Sequence, residues 1–330
     1  MTDLRKIGLS ALAGSLVAFS ATAGEMSVSG TAKMSYTADN GNEDNQVDGN
    51  RFGMNQAVSF TGSGELDNGH TVTLLHVMSS DGGAKSTSAL TYDMGDMGSL
   101  TYQQDSGSLG IGKIDDVMPT ADEEVWNGLA ADGDASDTKL VGRVSGGVTG
   151  FNYTYSMDMV TINAGYSPKS DSDSTSDGSN GTAAALESSQ SVAVQITPMD
   201  GLNIYAGTGS TGNSNASQED DHSTYAVTYA YGPVTAGYQI SSVEPASGTE
   251  DRDTDQYGIA FAVNENLSVS YGEMTTEEEG TTLDQEVSGY SIGYSMGGIT
   301  IKAHQNEAEN ISNAANKASE HTEIAVSFAF

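Results

Sequence analysis

The chain has no cysteine, one tryptophan, 5 prolines, and 12 basic residues against 45 acidic ones. Without cysteine, neither a disulfide nor a thiolate metal site is available. At a formal charge of −33, nucleic acid is excluded as a partner, because binding it rests on basic neutralisation of phosphates. Such acidity sets up a negative field that attracts cations. Long apolar runs are also missing: no stretch reaches the roughly 20 apolar residues of a transmembrane helix. The one apolar run, Ile7 to Phe19, follows Arg5 and Lys6 and precedes Ala21-Thr22-Ala23, the form of a secretory signal with its cleavage site. The mature chain is expected to begin at Gly24, as a single domain over 24–330. Removing 1–23 takes away Asp3, Arg5 and Lys6, so −33 becomes −34.

Catalytic patterns are lacking too. The histidines (His70, His76, His222, His304 and His321) show no HExxH spacing, no serine sits in a GxSxG elbow, and Gly107-Ser108-Leu109-Gly110 has no Walker lysine. No enzymatic activity and no required cofactor are expected.

What the chain does have is alternation. In the last run Ile324, Val326, Phe328 and Phe330 share one face, while Glu323, Ala325, Ser327 and Ala329 share the other. The same period of two starts at Met26 (Met26, Val28, Ala32, Met34, Tyr36) and recurs through the chain, which predicts half-buried strands. Asp67-Asn68-Gly69, Gly95 to Gly98, Pro198 to Gly201, Gly232-Pro233, Asn264 to Asn266 and Gly297-Gly298 are hairpin turns. They take turns with long hydrophilic loops, giving about sixteen strands. All five prolines are placed in connections, as strand interiors need every backbone donor. Asp105 to Asp137 shows no sustained alternation; it resumes from Thr138 with a phase shift near Gly146-Gly147, where a bulge is expected.

The face opposite the apolar one carries Ser, Thr, Gly, Ala and Gln with a few charges such as Lys33, Arg51, Lys302 and Glu323. A soluble sandwich exposes more Lys and Glu, whereas a water-filled lumen suits this set. A closed sheet also satisfies the backbone groups that lipid would leave unpaired. About ten residues at ~3.3 Å, tilted ~45°, rise roughly 23 Å, the height of an outer-membrane barrel's apolar band. The fold class is therefore all-β, a closed antiparallel transmembrane barrel. The alternative is an exported acidic, β-rich surface or adhesin-type binding protein without a pore.

The signal sequence, the opening Met26-Ser27-Val28-Ser29-Gly30, the hairpin from Phe60 to Gly69, the third loop with Pro119-Thr120-Ala121-Asp122-Glu123-Glu124, and the terminal Phe330 together resemble a Gram-negative general porin of the alphaproteobacterial type. The resemblance covers 24–330. It implies an outer-membrane homotrimer of sixteen-stranded barrels among lipid and lipopolysaccharide, each a passive channel with the third long loop (105–137) folded into the lumen as a constriction. It also implies that the barrel-assembly machinery reads the last strand, ending at Phe330. In that family the loop's carboxylates, here Asp115, Asp116, Asp122, Glu123 and Glu124, face basic groups on the wall. The wall candidates are Lys33, Arg51 and Arg143. Carboxylates outnumber these cations, so cation preference is expected. The acidic stretches Asn42-Glu43-Asp44, Glu219-Asp220-Asp221 and Glu277-Glu278-Glu279 suggest Ca²⁺ or Mg²⁺ held between loops or against lipopolysaccharide phosphates.

Overall fold

Strands that are apolar on one face only must close on themselves or stack, and here they close. The computed structural model describes residues 24–41, 50–79, 85–104, 108–129, 144–147, 149–169, 187–212, 219–246 and 251–330. Sixteen antiparallel strands form one barrel: β1 (Met26–Gly41), β2 (Phe52–Glu65), β3 (Thr71–Ser79), β4 (Lys85–Asp93), β5 (Ser99–Gln104), β6 (Gly150–Met157), β7 (Val160–Ser167), β8 (Ser189–Met199), β9 (Leu202–Gly212), β10 (Glu219–Tyr231), β11 (Val234–Glu244), β12 (Arg252–Asn264), β13 (Leu267–Glu278), β14 (Gln285–Met296), β15 (Ile299–Glu309) and β16 (Ala318–Ala329). Each strand pairs with its sequence neighbours, and β1 pairs with β16 to close the ring. Beyond that ladder, Phe330 and Gly30 exchange backbone hydrogen bonds of 2.7 and 3.0 Å. Closure leaves no sheet edge.

Burial runs opposite to that of a soluble protein. The outward row includes Met26, Met54, Tyr225, Tyr290 and Ile324, all exposed, while Gln239, Gln256, Thr254, Thr276 and Asn306 are buried on the inside. The apolar face thus points away from the barrel axis, as a bilayer solvent requires.

Several strand boundaries differ from the sequence expectation. β1 runs on to Gly41, β13 to Glu278 and β15 to Glu309, so the hydrophilic loops are shorter than the periodicity implied. The apolar signal stops at the tyrosine rows, but backbone pairing continues past them. No bulge lies at Gly146-Gly147: residues 144–147 are not strand, Gly147 has φ 84°, and β6 begins only at Gly150. Pro198 is not in a connection but in the last residues of β8, where the β8–β9 register slips between Ile196 and Met199. A residue without an N–H breaks the ladder at that point.

Candidate functional site

Six-residue β5 ends at Gln104 and β6 starts at Gly150; the connection between them goes inward. Its described residues, 108–129 and 144–147, meet the inward face of the wall. The 3₁₀ turn Gly110–Ile114 enters first: Gly110 N donates to Asn152 Oδ1 (2.9 Å) and Ile111 N to Ser191 Oγ (3.1 Å). Ile111 and Ile114 pack with Val144 and Ala193, and Tyr205 and Val243 flank them. Gly165 makes this approach possible, since a Cβ there would lie 2.5 Å from Gly110 N. Next, Gln239 grips the backbone with three bonds, from Val117 N (3.1 Å) and to the carbonyls of Ile114 (2.9 Å) and Asp115 (3.1 Å).

The distal half follows the registers of β11 to β16. Gly237, Gly258, Gly272, Gly289, Asn306, His321 and Asp39 are successive cross-strand partners, a single circumferential row. Its glycine part is a groove that receives Met118, Pro119 and Val125; a Cβ on Gly237 would meet Pro119 Cδ at 2.8 Å. One row down, Ser270 and Ser291 accept from Ala121 N at 2.9 and 3.2 Å. Asn306 donates to the carbonyls of Glu124 (3.2 Å) and Asn127 (2.9 Å). One row up, inward Met274, Val287 and Ala308 form an apolar patch with Ile311, covered by Val125, Trp126 and Leu129. Both clusters of buried apolar side chains are thus contacts between loop and wall rather than a dry core.

The loop's five expected carboxylates have different surroundings. The Asp122 side chain is only 4% exposed, with Lys302 Nζ at 3.0 Å and His304 Nδ1 at 2.8 Å. Burial works to raise its pKa, but hydrogen bonds from His304 and Lys302, with the charge on Lys302, outweigh burial and hold the carboxyl below the usual range. Asp116 accepts from Met118 N (2.7 Å), and Asp116, Glu123 and Glu124 line a recess between the loop and β12 to β15. Asp115 follows the 3₁₀ turn, with its carbonyl on Gln239. Beside it, Lys113 is exposed to the lumen, yet enough protein surrounds it for burial to lower its ammonium pKa.

Of the expected wall cations, Lys33 pairs with Glu323 at 2.7 Å. Arg51 lies just before β2 and reaches the Tyr36 hydroxyl (3.5 Å), a member of the outward row. Arg143 is outside the described residues. The groups that meet the loop are instead Lys302 and His304, which sequence reasoning passed over because nothing in a period of two tells which inward residues stand opposite the loop. Among the described residues, no three His, Asp or Glu side chains converge as a metal site.

A family model described as Gram-negative porin matches residues 8–264. The chain belongs to that family. Among solved structures, a porin refined at 1.8 Å resolution aligns with this porin at 15% identity and TM-score 0.65, covering 93% of this chain and all of the other. A mutant of Rh. blastica porin gives 15% and 0.64, again over 93% of this chain and the whole of its own. A loop-L8 deletion mutant of OmpT, an outer membrane protein of Vibrio cholerae, gives 12% and 0.66 with the same coverage. No curated protein matches. At these identities the structures show the shared fold, and the family match makes this porin an outer-membrane channel protein. The alternative of a surface protein without a pore is set aside by that match.

Proposed function

We propose that this porin is a passive diffusion channel for ions and small hydrophilic solutes that prefers cations. The observation that carries the reading is an acidic loop seated along a wall of small polar side chains. Lumenal cations are matched by carboxylates: Lys33 by Glu323, Arg252 by Glu278 and Lys302 by Asp122. The remaining loop acids, Asp115, Asp116, Glu123 and Glu124, stand with Lys113 as the loop's described cation. Excess negative charge at a narrowing raises the local cation concentration. The test is a reversal potential across a planar bilayer under a salt gradient; an anion-selective pore rejects the reading.

We further propose that the barrels assemble as homotrimers through the β1–β4 side. On that outward face Met26, Met34, Met54, Leu74 and Leu90 are exposed, and mid-strand His76 bonds Ser88 at 2.9 Å. A polar pair at that depth is costly against lipid and suits a protein neighbour. Heat-dependent gel mobility and native mass in mild detergent check this, with a monomer as the contrary result. The signal at 1–23 is proposed to direct export, and Phe330 to present the last strand to the assembly machinery. Ca²⁺ or Mg²⁺ is proposed to bridge outward carboxylates and lipopolysaccharide phosphates. Glu286 and Glu307 stand on outward rows and line one recess with Tyr271 and Glu273, at the level where phosphates would lie. Unchanged melting on chelation would reject that bridge.

A further inference from the structure

The Asp122 side chain is almost wholly enclosed, and its partners lead on to a second histidine. His304 is fully buried; its Nδ1 donates to Asp122, and its Nε2 has no hydrogen-bond partner. Its ring lies 5.4 Å from that of His321, the planes 31° apart. His321 Nδ1 is 2.5 Å from Asp39 Oδ1 on β1. The loop bears on this second ring too, for a Cβ on Gly128 would fall 2.1 Å from His321 Cδ2. Two loop positions, Asp122 and Gly128, therefore rest on two touching imidazoles that join β15, β16 and β1.

Resting on the channel reading above, we propose that Asp122 positions the loop instead of selecting ions. With Lys302 and His304 it clamps the loop to the wall, and the His304–His321 contact makes the clamp acid-sensitive. The charged groups around the pair are Asp122 from the loop, Lys302 on β15, Glu323 on β16 opposite His304 and bound to Lys33, and Asp39 on β1; β14 offers only Ser291. With both rings neutral, each places an N–H on a carboxylate. One added proton is accommodated between Asp39 and Asp122. A second sets two like charges face to face and gives His304 a buried N–H with no acceptor. The clamp therefore holds at neutral pH and loosens in acid, where both rings carry a second proton.

The test is single-channel recording in the full-length, membrane-extracted protein. The charge-balanced variant Asp122→Asn/Lys302→Met is expected to spend roughly tenfold more time in noisy, loop-released substates at pH 7.5, as loss of a charge-assisted bond implies. Its reversal potential should move less than that of Glu123→Gln. Wild type should show the same rise in noise on going to about pH 5, and His321→Gln, which keeps a donor for Asp39, should flatten that response. A double variant as quiet as wild type, or an undiminished acid response in His321→Gln, overturns the clamp. If the double variant does not assemble, Lys302→Met replaces it; it removes one of the two basic partners of Asp122 and should show the same rise in noise at pH 7.5, and noise as low as that of wild type overturns the proposal. A silent wild type would speak against the channel reading, whereas quiet conduction in every variant speaks against the clamp alone.

Discussion

Inside a barrel, two side chains of one type can have opposite energetic roles. Gln239 and Gln256 are adjacent on β11 and β12, and both are buried. Gln239 makes three bonds to loop backbone and one to Thr224 Oγ1 at 2.9 Å, while neither amide atom of Gln256 has a partner. Gln239→Leu orphans a loop N–H and two carbonyls and should cost about 1–3 kcal/mol. Gln256→Leu removes two unsatisfied atoms and should be neutral or stabilising; thermal melts of folded barrels compare the two. For Asp122 the sign follows from its depressed pKa. Counting the proton on Asp122 alone, its stabilisation is present above the ordinary carboxylate value near 4 and lost as pH falls through the lower folded value. Wild type and Asp122→Asn should accordingly differ most in loop protection from a protease at pH 7, less at about pH 5 where the paired histidines already loosen the clamp, and not at all below about pH 3. Equal protection at pH 7 would contradict this.

Among the elements, the strands were legible in the sequence and the loop's path was not. The alternation that opens at Met26 starts β1 to the residue, and the final run from Glu323 to Ala329 lies within β16, since one apolar row against one polar row admits a single phase. Val144, in the stretch where alternation resumed, packs against the loop's own 3₁₀ turn instead of joining a strand; 138–143 lie outside the described residues. The Lys302–Asp122 and His304–Asp122 contacts depend on strand-to-strand register, and hydrogen bonding across sixteen strands fixes that, not any local pattern. One trace was present: inward glycines recur on β7, β9 and β11 to β14. At Gly165, where backbone meets backbone, Gly165→Val should unseat the entry turn at a cost of about 1–3 kcal/mol. Gly62→Val, with open space around its Cβ, is the matched control. Faster proteolysis of the loop in the first and not the second is the expected result.

At the scale of the whole molecule, formal charge and pore charge are different quantities. Much of the formal charge of −33 sits at strand ends and loops, where carboxylates already take local partners: Glu219 accepts from Ser210 Oγ, and Asp220 from Ala246 N. Ions in the lumen feel mainly the loop acids, across water that salt can screen. The Debye length shrinks from about 10 Å at 0.1 M to about 3 Å at 1 M, less than the span of a lumen this wide in strands. Cation preference should therefore be strong in dilute salt and approach unity near 1 M, while conductance keeps rising with bulk ion concentration. Glu123→Gln/Glu124→Gln should lower the dilute-salt preference and leave the 1 M value nearly unchanged, because only unscreened charge can sort ions by sign. A preference independent of salt would instead place discrimination in close, dehydrated contact with the wall.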